Sequence, residues 1–159
     1  MPKNLNTLLV IVAIAIVAIV LLKTLVSGRK RTARYQQTPI MTGNEIEFFG
    51  RLRRALPNHH VFPQVAMSAV IRPMATFRDN PGAYHAISKK RIDYAVFASD
   101  MTLIALVELD DKMHDVAKDA KRDAMTASAG VRTVRWNSRT KPSEKIIAAT
   151  LLELAIAAA

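Results

Sequence analysis

The segment Ile92–Asp111, IDYAVFASDMTLIALVELDD, decides the fold of this chain. It contains two apolar runs of strand length, Ile92–Ala98 and Thr102–Asp110. A short link with Ser99-Asp100 at the turn separates them, and so short a link predicts that the two strands pair as a hairpin. Their nearly continuous apolar character indicates that the hairpin is buried for most of its length.

The hairpin is predicted to carry carboxylates at one end. Side chains alternate between the two faces of a strand, so Glu108 and Asp110 lie on the same face. Asp93 stands at the start of the other strand, where hairpin pairing brings it beside Glu108 or Asp110. Like charges so close repel one another unless a cation lies between them, and hard oxygen ligands suit Mg²⁺ or Mn²⁺. The alternative is that these acids are solvated residues at strand ends.

The segments on either side complete an α/β pattern. Thr42 and Glu45 form a capping box that opens a helix, which Pro57-Asn58 ends. The apolar face of that helix is predicted to consist of Ile46, Phe48, Phe49, Leu52 and Leu56. The other predicted elements are a strand over His60–Ala66, whose Pro63 suggests an edge or a bulge, one or two helices within Ser68–Lys90, a helix over Val116–Ala129, a strand over Val131–Trp136 and a helix over Ser143–Ala159. This order predicts an α/β domain with a mixed central sheet flanked by helices.

The N-terminal segment is predicted to be a single transmembrane helix. Leu8–Leu22 is an unbroken apolar run, and residues 7–26 reach spanning length if Lys23 extends toward the lipid headgroups. One lysine precedes the run and a basic cluster follows it, so the positive-inside rule places the N-terminus outside and the rest in the cytoplasm. This predicts a single-pass inner (cytoplasmic) membrane protein. A cleaved signal peptide and a buried core helix are the alternatives.

The predicted organisation is a transmembrane anchor over 1–27, a basic and polar linker over 28–41 and an α/β domain over 42–159. The formal net charge of +10 is concentrated near the N-terminus, since the first 37 residues hold six Lys or Arg and no acid. The rest carries 17 basic and 13 acidic residues. Membrane-flanking charge therefore explains most of the excess, and the net charge is no evidence for nucleic-acid binding.

Several function classes have no support in the sequence. The chain has no cysteine, which excludes disulfides, thiolate metal sites and cysteine nucleophiles. It contains no P-loop, Gly-rich nucleotide loop, G-x-S-x-G or H-E-x-x-H motif. Kinase, dehydrogenase and serine-hydrolase activities are therefore not indicated.

The domain is similar to a known family in five segments. These are NEIEFFGRL at 44–52, VFPQVAM at 61–67, RIDYAVF at 91–97, ALVELDDKMH at 105–114 and KRDAMTASAGV at 121–131. Together they resemble the domain of unknown function 2726 family, over roughly Ile40 to Trp136. That family looks like a branch of the PD-(D/E)XK nuclease superfamily, near the very-short-patch-repair type of endonuclease. The resemblance implies a restriction endonuclease-like fold and magnesium-dependent hydrolysis of nucleic acid, DNA in the first place.

The resemblance also implies roles for individual acids. Asp93 matches the metal-binding Asp of the superfamily, and Glu108 matches the first acid of its (D/E)-x-K element. Asp110 stands where most members have the catalytic Lys. An acid there followed by a His is usual in the endonuclease-like branch, which makes Asp110 and His114 candidate site members. Glu45, on the first helix, matches an acidic residue that approaches the metal in many members.

The remaining candidates are basic. Lys112 takes the place of the missing lysine or is only a surface residue. Either Lys112 or His114 is expected to assist proton transfer or to stabilise the developing charge. Lys118, Lys121 and Arg122, on the helix after the acids, are candidate phosphate contacts. A solvated helix face is the alternative for these three.

Two function hypotheses follow. The first is a membrane-anchored, Mg²⁺-dependent or Mn²⁺-dependent nuclease. The second is a catalytically inactive nuclease-fold domain that binds nucleic acid or a protein partner at the membrane. An exported protein whose first segment is removed is a further possibility for the location of the domain.

Overall fold

The computed structural model describes residues 4–27, 33–111 and 116–158 of the chain. It divides into two compact units, with the boundary between Thr38 and Pro39. The first unit contains one helix, α1, over Leu5–Ser27, which confirms that the N-terminal apolar segment is helical. The window Leu5–Lys23 has a mean hydropathy of 3.1 and none of it is buried. By length and composition this helix is able to cross a membrane, although a signal sequence meets the same criteria.

The second unit is an α/β domain whose elements follow the predicted order. They are α2 over Gly43–Ala55, β1 over His60–Ala66, α3 over Met67–Val70, α4 over Pro81–Ser88, β2 over Arg91–Phe97, β3 over Leu103–Asp110, α5 over Val116–Ser128, β4 over Thr133–Asn137 and α6 over Glu144–Ala158. The strands form one sheet in the order β1-β2-β3-β4. Because β1, β2 and β3 pair antiparallel whereas β4 pairs parallel to β3, the predicted mixed sheet is confirmed.

The register of the sheet sets which residues meet at its ends. In the hairpin of β2 and β3, Tyr94 pairs with Val107. In the parallel pair of β3 and β4, Glu108 lies opposite Arg135. The start of β2 and the ends of β1, β3 and β4 therefore lie at the same end of the sheet.

Helices cover both faces of the sheet. One apolar cluster joins α2 and α6 to the sheet, and a second joins α3 and α4 to it. Val107 and Leu106, adjacent in β3, belong to the first and second cluster respectively, as expected for side chains on opposite faces. In the first cluster the Phe48 ring lies edge-on to Tyr94 and Trp136, with ring centroids 5.7 and 5.6 Å away.

The predicted apolar face of α2 is largely correct. Phe48, Leu52 and Leu56 are buried, as residues four apart on one helix face should be. Ile46 was assigned to this face wrongly, because it is 54% exposed. Two residues correspond to about 200° around a helix, so Ile46 points away from the stripe that begins at Phe48.

The predicted start of α2 is confirmed by its hydrogen bonds. Thr42 Oγ1 accepts from the Glu45 backbone N–H at 3.3 Å, and Glu45 Oε2 accepts from the Thr42 N–H at 2.6 Å. These two bonds form the capping box read from the sequence. The prediction for β1 also holds, since this Pro63-containing strand lies at the edge of the sheet.

Candidate active site

Asp93 and Glu108 meet at the end of the sheet. The last ladder pair before them is Tyr94 with Val107, so the next position places Asp93 opposite Glu108 on the same face. Asp93 Oδ2 accepts a hydrogen bond from the backbone N–H of Leu109 at 2.8 Å, which ties the two strands together. Glu108 is buried, with 2% of its surface exposed, and Asp93 is half-buried. The expected pairing of Asp93 with a β3 carboxylate is therefore with Glu108.

The surroundings of the two carboxyl groups raise the pKa of both. Burial, followed by the neighbouring charge of Asp93, raises the pKa of Glu108 to about 8. Burial also raises the pKa of Asp93, and the charge of Glu45 adds to this. A hydrogen bond between the two carboxyl groups raises the pKa of Glu108 and lowers that of Asp93. These shifts predict that, near neutral pH, Glu108 carries a proton and donates it to Asp93 in the hydrogen bond.

Arg122, on α5, contacts the same pair. Its Nη1 lies 2.8 Å from Glu108 Oε1, and the two side chains are 20% and 3% exposed. A protonated carboxyl group still has a carbonyl oxygen, which accepts from Arg122 while the hydroxyl donates to Asp93. The contact with Arg122 and the raised pKa of Glu108 are thus compatible. Arg122 was predicted as a phosphate contact, and the structure places it against Glu108.

Asp110 is held by Arg135 of β4. Arg135 Nη1 lies 2.8 and 3.0 Å from the two carboxylate oxygens of Asp110. The other side of the guanidinium donates to Asp123 on α5, at 3.0 Å from Nε and 2.9 Å from Nη2. Hydrogen bonds to Asp123 and Asp110 raise the pKa of Arg135, which stays charged. Arg135 therefore links the ends of β3 and β4 to α5.

Arg135 and Asp123 were not predicted as members of this site. The alternation of Val131–Trp136 shows that Arg135 points to one face of its strand, but not which strand lies beside it. Arg135 reaches Asp110 because the parallel register sets it next to Glu108. Within the residues that the structure describes, no three His, Cys, Asp or Glu side chains are grouped as a metal site.

Glu45 of α2 and Gln64 of β1 contact one another beside the carboxyl pair. Glu45 Oε1 accepts from Gln64 Nε2 at 3.3 Å, while its other oxygen serves the capping box. Gln64 lies in the edge strand, level with Asp93, between the pairs of Pro63 with Tyr94 and Val65 with Ile92. Its φ of 53° lies in the left-handed region, which costs a non-glycine residue about 1–3 kcal/mol. Strained backbone is common at functional sites, so Gln64 becomes a candidate site residue, one that sequence reasoning did not identify.

The α2 helix is fixed at this position by a buried tyrosine. The Tyr94 hydroxyl donates to the backbone carbonyl of Glu45 at 2.8 Å. Tyr94 itself lies in β2, directly after Asp93. One bond therefore keeps the first turn of α2, with Glu45, beside the carboxyl pair.

The remaining predicted site residues are described in part. Lys112 and His114 lie outside the described residues, and the side chain of Lys118 is not described. Lys121 is exposed on α5, next to Arg122. Its prediction as a phosphate contact stays a prediction, as do the proposed roles of the other three.

The carboxyl pair has the chemistry of a divalent-cation site. Asp93 and Glu108 bring two carboxyl groups together at a buried position, where a proton on Glu108 and the contact with Arg122 offset their repulsion. A cation such as Mg²⁺ would replace that proton and use oxygen ligands of the type it prefers. The donor set therefore fits such an ion, with Asp93 and Glu108 as the residues that would hold it.

Comparison with protein families gives a match over most of the domain. Residues 37–154 match the family described as "Protein of unknown function (DUF2726)". No curated protein and no solved structure matched the chain. The family match runs from the segment before α2 into α6 and thus includes Asp93, Glu108, Arg122 and Arg135. Since it covers more than half of the sequence, the chain belongs to the DUF2726 family of proteins of unknown function.

Proposed function

We propose that this domain is a metal-dependent nuclease of the PD-(D/E)XK type, which hydrolyses phosphodiester bonds in nucleic acid, DNA in the first place. The observation that carries the proposal is the pair of Asp93 and Glu108, which lie opposite one another at one end of the sheet, with Glu108 buried and the Leu109 N–H donating to Asp93 at 2.8 Å. Carboxyl groups with strongly raised pKa values concentrate at functional sites, because burial is arranged there for chemistry rather than for stability.

The residues of the chain would act mainly by holding this site in position. A divalent ion bound there would polarise the phosphate and lower the pKa of a bound water. The Leu109 N–H orients Asp93, and Arg122 orients Glu108. Gln64 orients Glu45, which stands near Asp93. Each candidate ligand is thus held by a partner within the domain, which is the preorganisation that hydrolysis requires.

Positive charge at the site comes from arginines. Asp110 occupies the position where the resembling superfamily usually has lysine. Arg122 lies within hydrogen-bonding distance of Glu108 and keeps 20% of its side chain exposed. We therefore propose that Arg122 supplies the charge that stabilises the pentavalent phosphate as negative charge develops.

A second candidate function has its own support. Arg122 contacts Glu108 and Arg135 contacts Asp110, so two of the four predicted metal ligands (Asp93, Glu108, Asp110 and Glu45) already have cationic partners within the domain. Such pairing is also expected in a domain that keeps the nuclease fold without catalysis. This domain would bind nucleic acid or a protein partner instead.

Cleavage assays distinguish the two candidates. The full chain in detergent is incubated with supercoiled plasmid and with single-stranded oligonucleotides, in Mg²⁺, in Mn²⁺ and in EDTA. Cleavage that requires the metal and disappears in EDTA is the expected result, because the carboxyl pair alone offers no Lewis acid. A wild-type chain that binds these substrates but leaves them intact under every condition would favour the non-catalytic domain.

We also propose that α1 anchors the chain in the inner (cytoplasmic) membrane with the domain in the cytoplasm. The apolar, unburied window over Leu5–Lys23 and the basic residues that follow it support this orientation. Fusions after Ala159 test it: a fluorescent protein that folds only in the cytoplasm should be bright, and alkaline phosphatase inactive. Active phosphatase, or an intact mass that lacks the first segment, would contradict the anchor.

A further inference from the structure

One face of α6 carries apolar side chains that no described residue of the domain covers. The opposite face of this helix packs into the first apolar cluster, where Ile147 and Leu151 are buried. By contrast, Ile146, Leu152 and Ile156 are 54%, 41% and 78% exposed. Single exposed apolar residues are common, but several along one helix face indicate a contact surface. We call this surface the outer face of α6; it consists of Lys145, Ile146, Ala149, Leu152, Glu153 and Ile156.

Ala149 lies at the middle of the outer face. Ile147 and Leu151, two residues before and after it, are both buried. Two residues correspond to about 200° of rotation around a helix, so Ala149 points directly away from the core. It is exposed, and its side chain is a single methyl group. A small residue at this position allows a second helix to approach closely, because the side chains at the contact set the distance between two packed helices.

One charge of each sign flanks Ala149 on the same face. Lys145 lies four residues before it and Glu153 four residues after it. Four residues correspond to about 400° of rotation, so both side chains leave the helix within about 40° of the Ala149 direction. About 12 Å of helix separates Lys145 from Glu153, which prevents them from pairing with each other. Both are exposed, and neither forms an ion pair with any residue that the structure describes.

The outer face is symmetric about Ala149. Ile146 and Leu152 lie three residues on either side of it, and Lys145 and Glu153 lie four residues on either side. A two-fold axis perpendicular to the helix at Ala149 generates an antiparallel copy, in which residues equally far before and after Ala149 come opposite one another. Lys145 would then face Glu153 of the second copy, and Ile146 would face Leu152. The outer face is therefore complementary to itself in charge and in polarity.

We propose that the outer face of α6 is a dimerisation surface, on which α6 of a second copy packs antiparallel with Ala149 at the crossing point. The charges also select the direction of the second helix. A parallel copy would place Lys145 beside Lys145 and Glu153 beside Glu153, where like charges repel one another. The inference uses no residue of the carboxyl pair, so it stands or falls separately from the proposed function.

Cysteine crosslinking tests the proposal, because the chain has no cysteine of its own. Ala149→Cys would place two thiols at the two-fold axis. Helices about 10 Å apart bring the facing Cα atoms to about 5.4 Å, which lies within the range that a disulfide spans. A contact between two short helices is small and weak, so a covalent trap is the suitable measurement.

The matched control is Ala124→Cys, at an exposed alanine of α5. When the full chain is oxidised in detergent, Ala149→Cys should form a covalent dimer at least about 10-fold faster than the control, since paired helices hold the thiols at a high effective concentration. The control chain keeps α1, so association through that helix acts equally in both variants. Equal rates would overturn the proposal and assign the outer face to a different occupant.

Charge reversal tests the antiparallel direction. In the Ala149→Cys chain, Lys145→Glu or Glu153→Lys should each slow crosslinking by about 5-fold or more, because each creates two like-charge contacts across the dimer. The double variant Lys145→Glu/Glu153→Lys restores opposite charges and should crosslink at the rate of Ala149→Cys alone. Circular dichroism establishes that each variant is folded. A double variant no faster than the single variants would contradict the antiparallel pairing.

Discussion

Substitution of Asp93 by Asn or of Glu108 by Gln is expected to lower metal-dependent cleavage by about 100- to 1000-fold, the scale at which loss of a catalytic electrostatic contact acts. Each change keeps the size of the side chain and removes one of two carboxyl groups that would hold the ion. The amide oxygen introduced by Asp93→Asn would still accept from the Leu109 N–H, as the Asp93 carboxylate does at 2.8 Å in the wild type. The measurement is the initial rate of plasmid cleavage in Mg²⁺.

A matched control for this prediction lies in the turn of the hairpin. Asp100 Oδ1 accepts from the Thr102 backbone N–H at 2.9 Å, the same kind of bond that Asp93 makes to Leu109. Asp100→Asn should therefore cleave at the wild-type rate. The circular dichroism spectrum and melting temperature of all variants establish that they are folded. Retained cleavage in folded Asp93→Asn and Glu108→Gln would remove the carboxyl pair from the mechanism.

The stability of the domain without metal is expected to fall as pH rises from about 5 to about 8. Glu108 has a pKa of about 8 in the folded domain, against an ordinary value of 4.5. Below 4.5 the carboxyl is protonated in both states, and its native hydrogen bonds contribute fully. Between these values the unfolded chain releases a proton that the folded domain keeps, so stability is lost as pH rises. At about 1.4 kcal/mol per unit, the loss reaches several kcal/mol.

Glu108→Gln should remove most of this pH dependence, because glutamine has no proton to release. The raised pKa of Asp93 acts in the same direction, so a smaller slope should remain. Urea denaturation at pH 5, 6.5 and 8, followed by fluorescence of the single tryptophan, Trp136, measures the effect. The exposed Glu153 provides the control, since Glu153→Gln should keep the wild-type slope. A wild-type stability that is flat across this range would contradict the raised pKa of Glu108.

The two sets of measurements separate chemistry from structure at the same residues. If Glu108→Gln is inactive and also more stable than the wild type at pH 8, the carboxyl group of Glu108 is needed for cleavage although it lowers the stability of the domain. This pattern is expected of an active site, where a strained or desolvated group is kept for chemistry. If the wild type is inactive and the pH effect is still found, Glu108 is a buried structural acid, and the non-catalytic domain is favoured.

Local signals in the sequence were enough to predict most of the fold. The two runs on either side of Ser99-Asp100 predicted the hairpin, since a short link leaves antiparallel pairing as the simple arrangement. Thr42 and Glu45 predicted the start of α2, because a capping box depends only on residues three apart. Ile46 was misplaced because the helical period gives the spacing of apolar residues on one face. It does not show at which residue that face begins.

Part of the candidate site also followed from the sequence. Asp93 was predicted to lie beside Glu108 or Asp110 because both strands belong to one hairpin, and the register of the folded sheet selects Glu108. The arginine partners were not predicted. Arg135 reaches Asp110 across 25 positions of sequence, and Arg122 reaches Glu108 from a helix on the face of the sheet. A short segment of sequence predicts neither the register of two parallel strands nor the way in which a helix packs on the sheet.

The sequence by itself determined the apolar N-terminal helix, the order of the elements and the approach of Asp93 to a carboxylate at the end of the neighbouring strand. These features depend on periodicity, caps and a short turn, which act within a few residues. Only the tertiary structure decided that Asp110 pairs with Arg135, that Asp93 faces Glu108, that Gln64 adopts a left-handed backbone beside Glu45, and that burial raises the pKa of Glu108. Burial and long-range register set those properties, because a carboxyl group changes its pKa only after the folded chain has removed it from water.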